Sequence, residues 1–180
     1  MLWLFTDPAR GKNPVAAAAR LPKGISGVVF RHDRVPGRAA LGRALALLCR
    51  ARRLALVVAG DTRLAVSLGA GIHLRGGRWP DAVRVASRLV TSSAHGVAEI
   101  RRARAAGAKI VFLSPAFATA SHPGAAWLGP ARWSALSRHG QGMHVVALGG
   151  ITGASARRLK VASRLGRFCA GAGAIGALGG

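Results

Sequence analysis

A chain of 180 residues, 51% of them hydrophobic, can bury one core but not comfortably two, and it is too apolar for a disordered tail. Its 27 Lys and Arg against 5 Asp and Glu give a formal charge of +22, a surface that attracts nucleic acid, acidic lipid head groups and phosphorylated metabolites alike. The arginines spread from Arg10 to Arg167 instead of bunching, which argues against a specific nucleic-acid footprint; their setting among Ala and Gly is also what a GC-rich genome yields without selection for function.

Short apolar runs of strand length recur, each followed by an Ala-, Arg- and Leu-rich segment with helical spacing. In chain order the spacing predicts a strand over Leu2 to Thr6, a helix over Pro14 to Ala19, a strand over Gly27 to Arg31 and a helix over Arg38 to Arg52. A strand over Leu54 to Ala59, a helix over Arg63 to Leu68, a strand over Gly71 to Leu74 and a helix over Asp81 to Ser87 follow. The second half continues with a strand over Leu89 to Ser92, a helix over Gly96 to Ala106 and a strand over Lys109 to Leu113. It closes with a helix over Pro130 to Ser137, a strand over His144 to Leu148, a helix over Ala154 to Leu165 and a strand over Phe168 to Ala172.

Strands that read as continuous apolar runs and alternate with helices signal a parallel sheet covered on both faces. An open doubly wound sheet and a closed barrel both satisfy the pattern. The count of eight, with polar residues at the strand exits, favours the second: an α/β fold, a compact (β/α)8 TIM barrel with eight parallel strands and short helices, filling 1–180 as a single domain. Such barrels usually need about 200 residues or more, so the helices here must be trimmed.

Cys49 and Cys169 suggest no disulfide framework and read as buried small hydrophobes. No stretch approaches the roughly 20 apolar residues of a membrane span, and no charged leader precedes a short apolar run, so a cytoplasmic protein without a membrane partner is expected. No histidine pair stands at helical i, i+4 spacing near a cysteine, which argues against zinc. Each lone histidine, His139 and His144 included, reads first as structural.

In a barrel of this kind the reacting groups come from the strand exits. Those exits carry Asp7; Arg31, His32 and Asp33; Asp61; His73 and Arg75; Ser93 and His95; and Ser114, Thr119, Ser121 and His122. Of the five acidic residues, Asp7, Asp33 and Asp61 fall at exits while arginines fill the helices. Helix capping is the competing explanation for Asp81 after Pro80 and for Asp61 before Thr62. Gly149, Gly150 and Gly153 leave the seventh strand, and Gly171, Gly173 and Gly176 line the eighth, where bare backbone amides can cradle a phosphate; simple turn-making is the plainer reading. The dinucleotide fingerprint spelled by Gly171 to Gly176 is accidental, because only four residues follow it.

Taken together, LWLFTD at 2–7, VVFRHD at 28–33, VVAGD at 57–61, GIHL at 71–74, TSSAHG at 91–96, AGAKIVFLSPAFATASHPG at 106–124 and VVALGGIT at 145–152 resemble the thiamine-phosphate synthase and thiazole tautomerase superfamily over nearly the whole chain. SPAFATASH is the most specific segment; it looks like that family's loop after the sixth strand. The resemblance implies a barrel that joins a pyrimidine methyl diphosphate to a thiazole phosphate, releases pyrophosphate and uses Mg2+. By the same resemblance Arg31 meets the diphosphate, Asp61 binds magnesium, and Ser93 and His122 join Arg31 as catalytic candidates. Thr119, Ser121, Gly149, Gly150, Gly176 and Ala177 then take the thiazole phosphate. The expected partners are small phosphorylated metabolites, with no specific nucleic acid and with room for a homodimer.

The chain departs from that family's pattern around the diphosphate. The glutamine and lysine flanking the arginine are Val29 and Asp33, the asparagine before the aspartate is Gly60, and the lysine of the sixth loop is His122. The second magnesium aspartate is replaced by Gly76-Gly77-Arg78-Trp79. Arg75 and His122 can restore part of the positive charge. Three readings stay open: a synthase-like transferase, a degenerate non-catalytic phosphate-ligand binder, and a thiazole tautomerase-like isomerase in which His122 moves a proton because Pro115 stands at the tautomerase histidine's place.

Overall fold

Successive side chains of a strand point to opposite faces of its sheet, and in most strands here both sets are apolar, so the sheet has to be covered on two sides. The computed structural model of the chain, which describes residues 1–9, 13–80, 87, 89–119, 124, 126–163 and 169–175, meets that demand with strands and helices in alternation. The first half comprises β1 (Leu2–Phe5), α1 (Pro14–Ala19), β2 (Ser26–Phe30), α2 (Arg38–Arg52), β3 (Ala55–Ala59), α3 (Thr62–Ser67) and β4 (Gly71–Leu74). The second comprises β5 (Val90–Ala94), α4 (Val97–Ala105), β6 (Ile110–Leu113), α5 (Gly129–Ser137), β7 (His144–Leu148), α6 (Gly153–Ser163) and β8 (Cys169–Ile175), with a 3-10 turn at Arg138–Gly140. This is an α/β fold with a parallel sheet, consistent with the TIM type.

Every ladder is parallel: Leu4 lies opposite Val28, Val28 opposite Leu56, Val58 opposite Ile72, and Ile72 opposite Val90. Ser92 then faces Val111, and Val111 faces Val145. The backbone of β8 pairs with β7 at Ala147 and Ala172 and with β1 at Leu4 and Ala174.

Strand parity sorts the core into two clusters. Trp3, Phe5, Val29, Val57, Ile110, Phe112, Val146 and Leu148 pack together on one face. Their alternates Leu4, Val28, Phe30, Leu56, Val58, Ile72, Val111, Leu113 and Val145 pack on the other, with the helix residues Leu45, Ala65, Ile100, Ala103 and Trp133. The inner cluster is built on aromatic edges: Phe112 meets Trp3 at 5.3 Å and Phe5 at 4.8 Å between ring centroids, both near perpendicular.

Short helices need good starts. The Asn13 side chain accepts from the N–H groups of Val15 and Ala16 ahead of Pro14, and the Asp61 carboxylate accepts from Leu64 ahead of α3. Most element ends fall within two residues of the sequence expectation. The fifth strand runs on to Ala94, where Ser93 and Ala94 continue the ladder opposite Phe112 and Leu113, and its polar residues are bonded: Thr91 Oγ1 lies 2.8 Å from His73 Nδ1, and Ser92 Oγ accepts from the Gly77 N–H at 2.9 Å. The expected helix over Asp81 to Ser87, with its Asp81 cap, lies outside the described residues apart from Ser87, as do Leu165 and Phe168. Cys49 is buried as expected, and burial pushes its thiol up to about 11.

Gly27 shows how tightly the inner layer is filled, since a Cβ there would overlap the Trp3 ring, within 2.6 Å of Cε3. Trp3 is fully buried among rigid neighbours and has nowhere to retreat. Gly27→Ala is expected to destabilise the chain by about 1–3 kcal/mol. Denaturant unfolding checks this; an unchanged midpoint would mean that the inner layer is looser than described.

Candidate active site

The carboxyl ends of the strands surround a cavity of about 660 Å3. Phe5, His73 and Leu148 belong to its lining, so the apolar inner layer serves as its floor. Above that floor the polar groups of the lining are Arg31 beyond β2, Arg75 and Arg78 beyond β4, Ser93, His95 and Glu99 around β5 and α4, and Ser114 and Thr119 beyond β6, with Pro115, Ala126 and Gly149 between them.

Charge is concentrated on the β1 to β4 side. Arg31 Nη2 pairs with Asp7 at 3.3 Å, and its guanidinium carbon sits 5.8 Å above the Phe5 ring. Arg38, the first residue of α2, reaches back between two carboxylates, with Nη2 at 3.1 Å from Asp33 and Nη1 at 3.2 Å from Asp61. It also donates to the Ala59 carbonyl at 2.6 Å and lies 5.6 Å over Phe30. The second Asp33 oxygen pairs with Arg75. Asp33, Arg34, Arg38, Gly60 and Arg75 line a second, smaller cavity of about 490 Å3 that shares Arg75 with the first.

Arg75 and Arg78 flank a tight turn. Arg78 N–H donates to the Arg75 carbonyl at 3.1 Å, and Gly76 and Gly77 both have positive φ, 58° and 76°, the backbone that a two-glycine reversal provides. β5 anchors this turn, because Ser93 Oγ accepts from Gly76 N–H at 3.3 Å and Ser92 Oγ from Gly77 N–H. Arg102 Nε donates to the Gly76 carbonyl at 3.0 Å.

His95 joins the cavity lining just beyond β5. Its Nδ1 lies 2.9 Å from the Ser114 carbonyl, and a carbonyl only accepts, so Nδ1 carries a hydrogen and Nε2 is the ring nitrogen left for another partner. Glu99 holds this segment by accepting from the His95 backbone N–H at 2.7 Å, and it pairs with Arg102 at 3.6 Å. His73 is different: it is 2% exposed, and burial, with Arg31 and Arg75 adding to it, pushes its pKa down to about 3. His32 is buried too, stacked on Phe30 and bonded to Thr6 Oγ1, and desolvation lowers its pKa.

The opposite wall is the loop after β6 laid against the glycines after β7. Ala116 and Phe117 N–H groups donate to the Leu148 and Gly149 carbonyls at 2.8 and 3.1 Å. Gly149 and Gly150 have φ of 92° and 63°, and a Cβ at Gly150 would come within 2.8 Å of Phe117 Cβ. These glycines therefore have a packing reason beside any ligand role.

Arg31, Ser93, Thr119 and Gly149 thus line one cavity, and Gly150 adjoins it in the chain. Asp61 is not in that lining; it caps α3 and pairs with Arg38. Ser121, His122, Gly176 and Ala177 lie outside the described residues. Among the described residues no group of three or more His, Cys, Asp or Glu is placed to hold a metal. Both oxygens of Asp61 and both of Asp33 are taken by an amide or a guanidinium, so the donor set does not fit magnesium. Arg38 carries no sequence signal beyond a cation in a helix first turn, and His73, expected after β4, lies within that strand, where its buried ring joins the cavity floor. No helix among the described residues is long and apolar enough to cross a membrane.

Residues 2–172 match the family profile described as thiamine monophosphate synthase. The chain belongs to that family. Thiamine-phosphate synthase of Thiobacillus denitrificans is 35% identical over 151 residues, 78% of this chain and 70% of that protein. The enzyme of Geobacillus kaustophilus is 36% identical over 124 residues, 66% of this chain and 56% of that protein, so there the match spans less than two thirds of the relative's length. Among solved structures, thiamine phosphate pyrophosphorylase from Pyrococcus furiosus superposes with a TM-score of 0.77 at 20% identity, covering 99% of this chain and 87% of that one, a likeness of fold. Membership in the thiamine monophosphate synthase family agrees with the resemblance carried by the strand exits.

In this family member the buried His73 makes stability depend on pH. Folded, it stays neutral down to about 3, whereas unfolded it takes a proton near 6.5. Its contribution is full above pH 6.5 and is lost as pH falls toward 3, by about 1.4 kcal/mol per pH unit. His73→Asn, which keeps a polar atom near Thr91, should flatten the stability profile between pH 6.5 and 4 by that slope. Urea titrations across the range test it, and parallel profiles for parent and variant would exclude the assignment.

Proposed function

We propose that this chain is a thiamine-phosphate synthase-like transferase, closed as a (β/α)8 barrel, that joins a pyrimidine methyl diphosphate to a thiazole phosphate and releases pyrophosphate. Family membership supports the chemistry, and the registers of β8 against both β7 and β1 support closure of the ring. The observation that carries the reading is the cavity itself: three arginines, Arg31, Arg75 and Arg78, on one side, and the Thr119 and Gly149 wall on the other, over an apolar floor.

The reaction needs little covalent help. The thiazole ring nitrogen gives its lone pair to the pyrimidine methylene carbon, and the carbon–oxygen bond to the diphosphate breaks with its electron pair passing to oxygen. The task of the site is to hold two phosphate-bearing molecules in line and stabilise charge on the departing group. Arg31 and Arg75 take the diphosphate, since guanidinium forks match phosphate oxygens. The Phe5 and Leu148 floor receives the apolar ring faces. Thr119, Gly149 and Gly150, with Ser121, Gly176 and Ala177 on the family resemblance, take the thiazole phosphate. Ser93 acts by fixing the arginine turn through Gly76. These partners are small phosphorylated metabolites.

Incubating the purified chain with both substrates should yield thiamine phosphate, and Arg31→Ala should lower kcat/KM by about 10² to 10³, the scale for losing one aimed donor. A melting curve separates this from loss of the Asp7 pair. Product formed equally well by Arg31→Ala would remove Arg31 from the site. Binding of both substrates without product would mark a non-catalytic binder.

A further inference from the structure

The paired arginines beyond β4 and the tied carboxylates beside them support an inference that rests on the diphosphate reading above. We propose that this site grips its diphosphate with guanidinium groups and no divalent cation: Arg75, Arg78 and Arg31 form the clamp, and Arg38 fills the place between Asp33 and Asp61 that a cation would need.

The carboxylates come first. Asp61 accepts from Leu64 N–H at 2.8 Å with one oxygen and from Arg38 at 3.2 Å with the other; Asp33 is shared between Arg38 at 3.1 Å and Arg75. Magnesium demands oxygen ligands at about 2.0–2.1 Å in octahedral array, so it would have to displace a guanidinium that is itself firmly held. Arg38 sits in the first turn of α2, where the helix dipole disfavours a cation and the turn itself holds no acidic residue. What keeps it there is the set of contacts at its far end: two carboxylates, the Ala59 carbonyl at 2.6 Å and the Phe30 face at 5.6 Å.

The turn beyond β4 supplies the opposite charge. Arg75 and Arg78 form an isolated antiparallel bridge and both line the cavity, so two guanidinium groups, one of them already paired with Asp33, stand close enough to share an anion. The turn is rigid: a Cβ at Gly77 would meet the Arg102 backbone at 2.6 Å, and Ser92, Ser93 and Arg102 hold its amides and carbonyl. Gly60 completes the set, because a Cβ there would press within 3.3 Å of Asp33 Oδ1 and 3.6 Å of Arg75 Nη2. The carboxylate in the cavity lining, Glu99, is engaged by the His95 amide and Arg102.

Calorimetric titration of the full chain with inorganic pyrophosphate, in EDTA and in excess magnesium chloride, tests the proposal. The affinity should be at least as high in EDTA as in excess magnesium, because magnesium also complexes pyrophosphate in solution and so competes with a clamp made of guanidinium groups alone. Arg75→Gln should weaken it about tenfold or more, the scale of a lost charge-assisted contact, while Arg132→Gln on the exposed side of α5 leaves it unchanged and so reports bulk charge. Arg38→Gln, by releasing one oxygen each of Asp33 and Asp61, should make binding strengthen when magnesium is added. Pyrophosphate binding by the parent that requires magnesium overturns the proposal, as does no binding in either medium or equal weakening by Arg75→Gln and Arg132→Gln. Should Arg38→Gln not fold, the parent and Arg75→Gln decide alone. Magnesium-independent pyrophosphate binding without thiamine phosphate formation sinks the transferase reading and keeps the clamp; turnover only with magnesium does the reverse.

Discussion

The perpendicular packing of Phe112 against Trp3 and Phe5 sets the height at which this molecule stops being core and starts being site. A curved parallel sheet with short strands has few inward positions to fill, and small residues would leave it hollow. Here Trp3, Phe5 and Phe112 occupy the lower layers, and His73 closes the top, 5.7 Å from both Phe5 and Phe112. The same ring of Phe5 then carries the Arg31 guanidinium. One aromatic stack therefore stabilises the sheet, floors the cavity and positions a cation over it.

Scarcity of acid gives each carboxylate leverage. With 27 basic residues against 5 acidic ones, a carboxylate on an outward helix face would be neutralised by whichever arginine came near. The described acids are instead placed where they organise particular arginines: Asp7 with Arg31, Asp33 with Arg38 and Arg75, Asp61 with Arg38, and Glu99 with Arg102. These pairs are partly exposed and add little to global stability. Their effect is on direction, since they hold flexible side chains at one rim of the sheet while most remaining charge faces solvent.

The alternation of apolar runs made the sheet and most helices legible, because a strand buried on both faces leaves few other patterns for its residues. The strand exits were legible too, and Arg31, Ser93, Thr119 and Gly149 do meet around one cavity. Parity was the harder matter. His73 sits one residue from the end of β4 and reads as an exit group, but its alternation with Ile72 and Leu74 turns it inward, where Thr91 bonds it. Asp61 shows a second limit: an aspartate before a short helix carries the same local signal whether it caps or binds, and only the reach of Arg38 across from α2 decides what its second oxygen does. Long side chains connect residues 23 positions apart with no trace in local spacing.

The departures from the family pattern then cease to be independent losses. A lysine at 33 would stand against Arg38 and Arg75, so the aspartate there is what allows those two arginines to coexist. Position 60 has a φ of 71°, and a Cβ there would sit 3.3 Å from Asp33 Oδ1, so the backbone favours glycine and the pair leaves little room beside it. A carboxylate at 76 would start from a Cβ only 3.0 Å from Glu99 Oε1, and at 77 it would collide with the α4 backbone, so the two-glycine turn and its flanking arginines exclude an acidic group from that exit. Asp33, Gly60, Arg75 and the 76–77 turn therefore act as one unit, in which each residue removes the space or the charge balance that its family counterpart would need. Introducing the family residue at one of these positions alone sets a like charge against a like charge or a side chain against its neighbours, so the departures belong together.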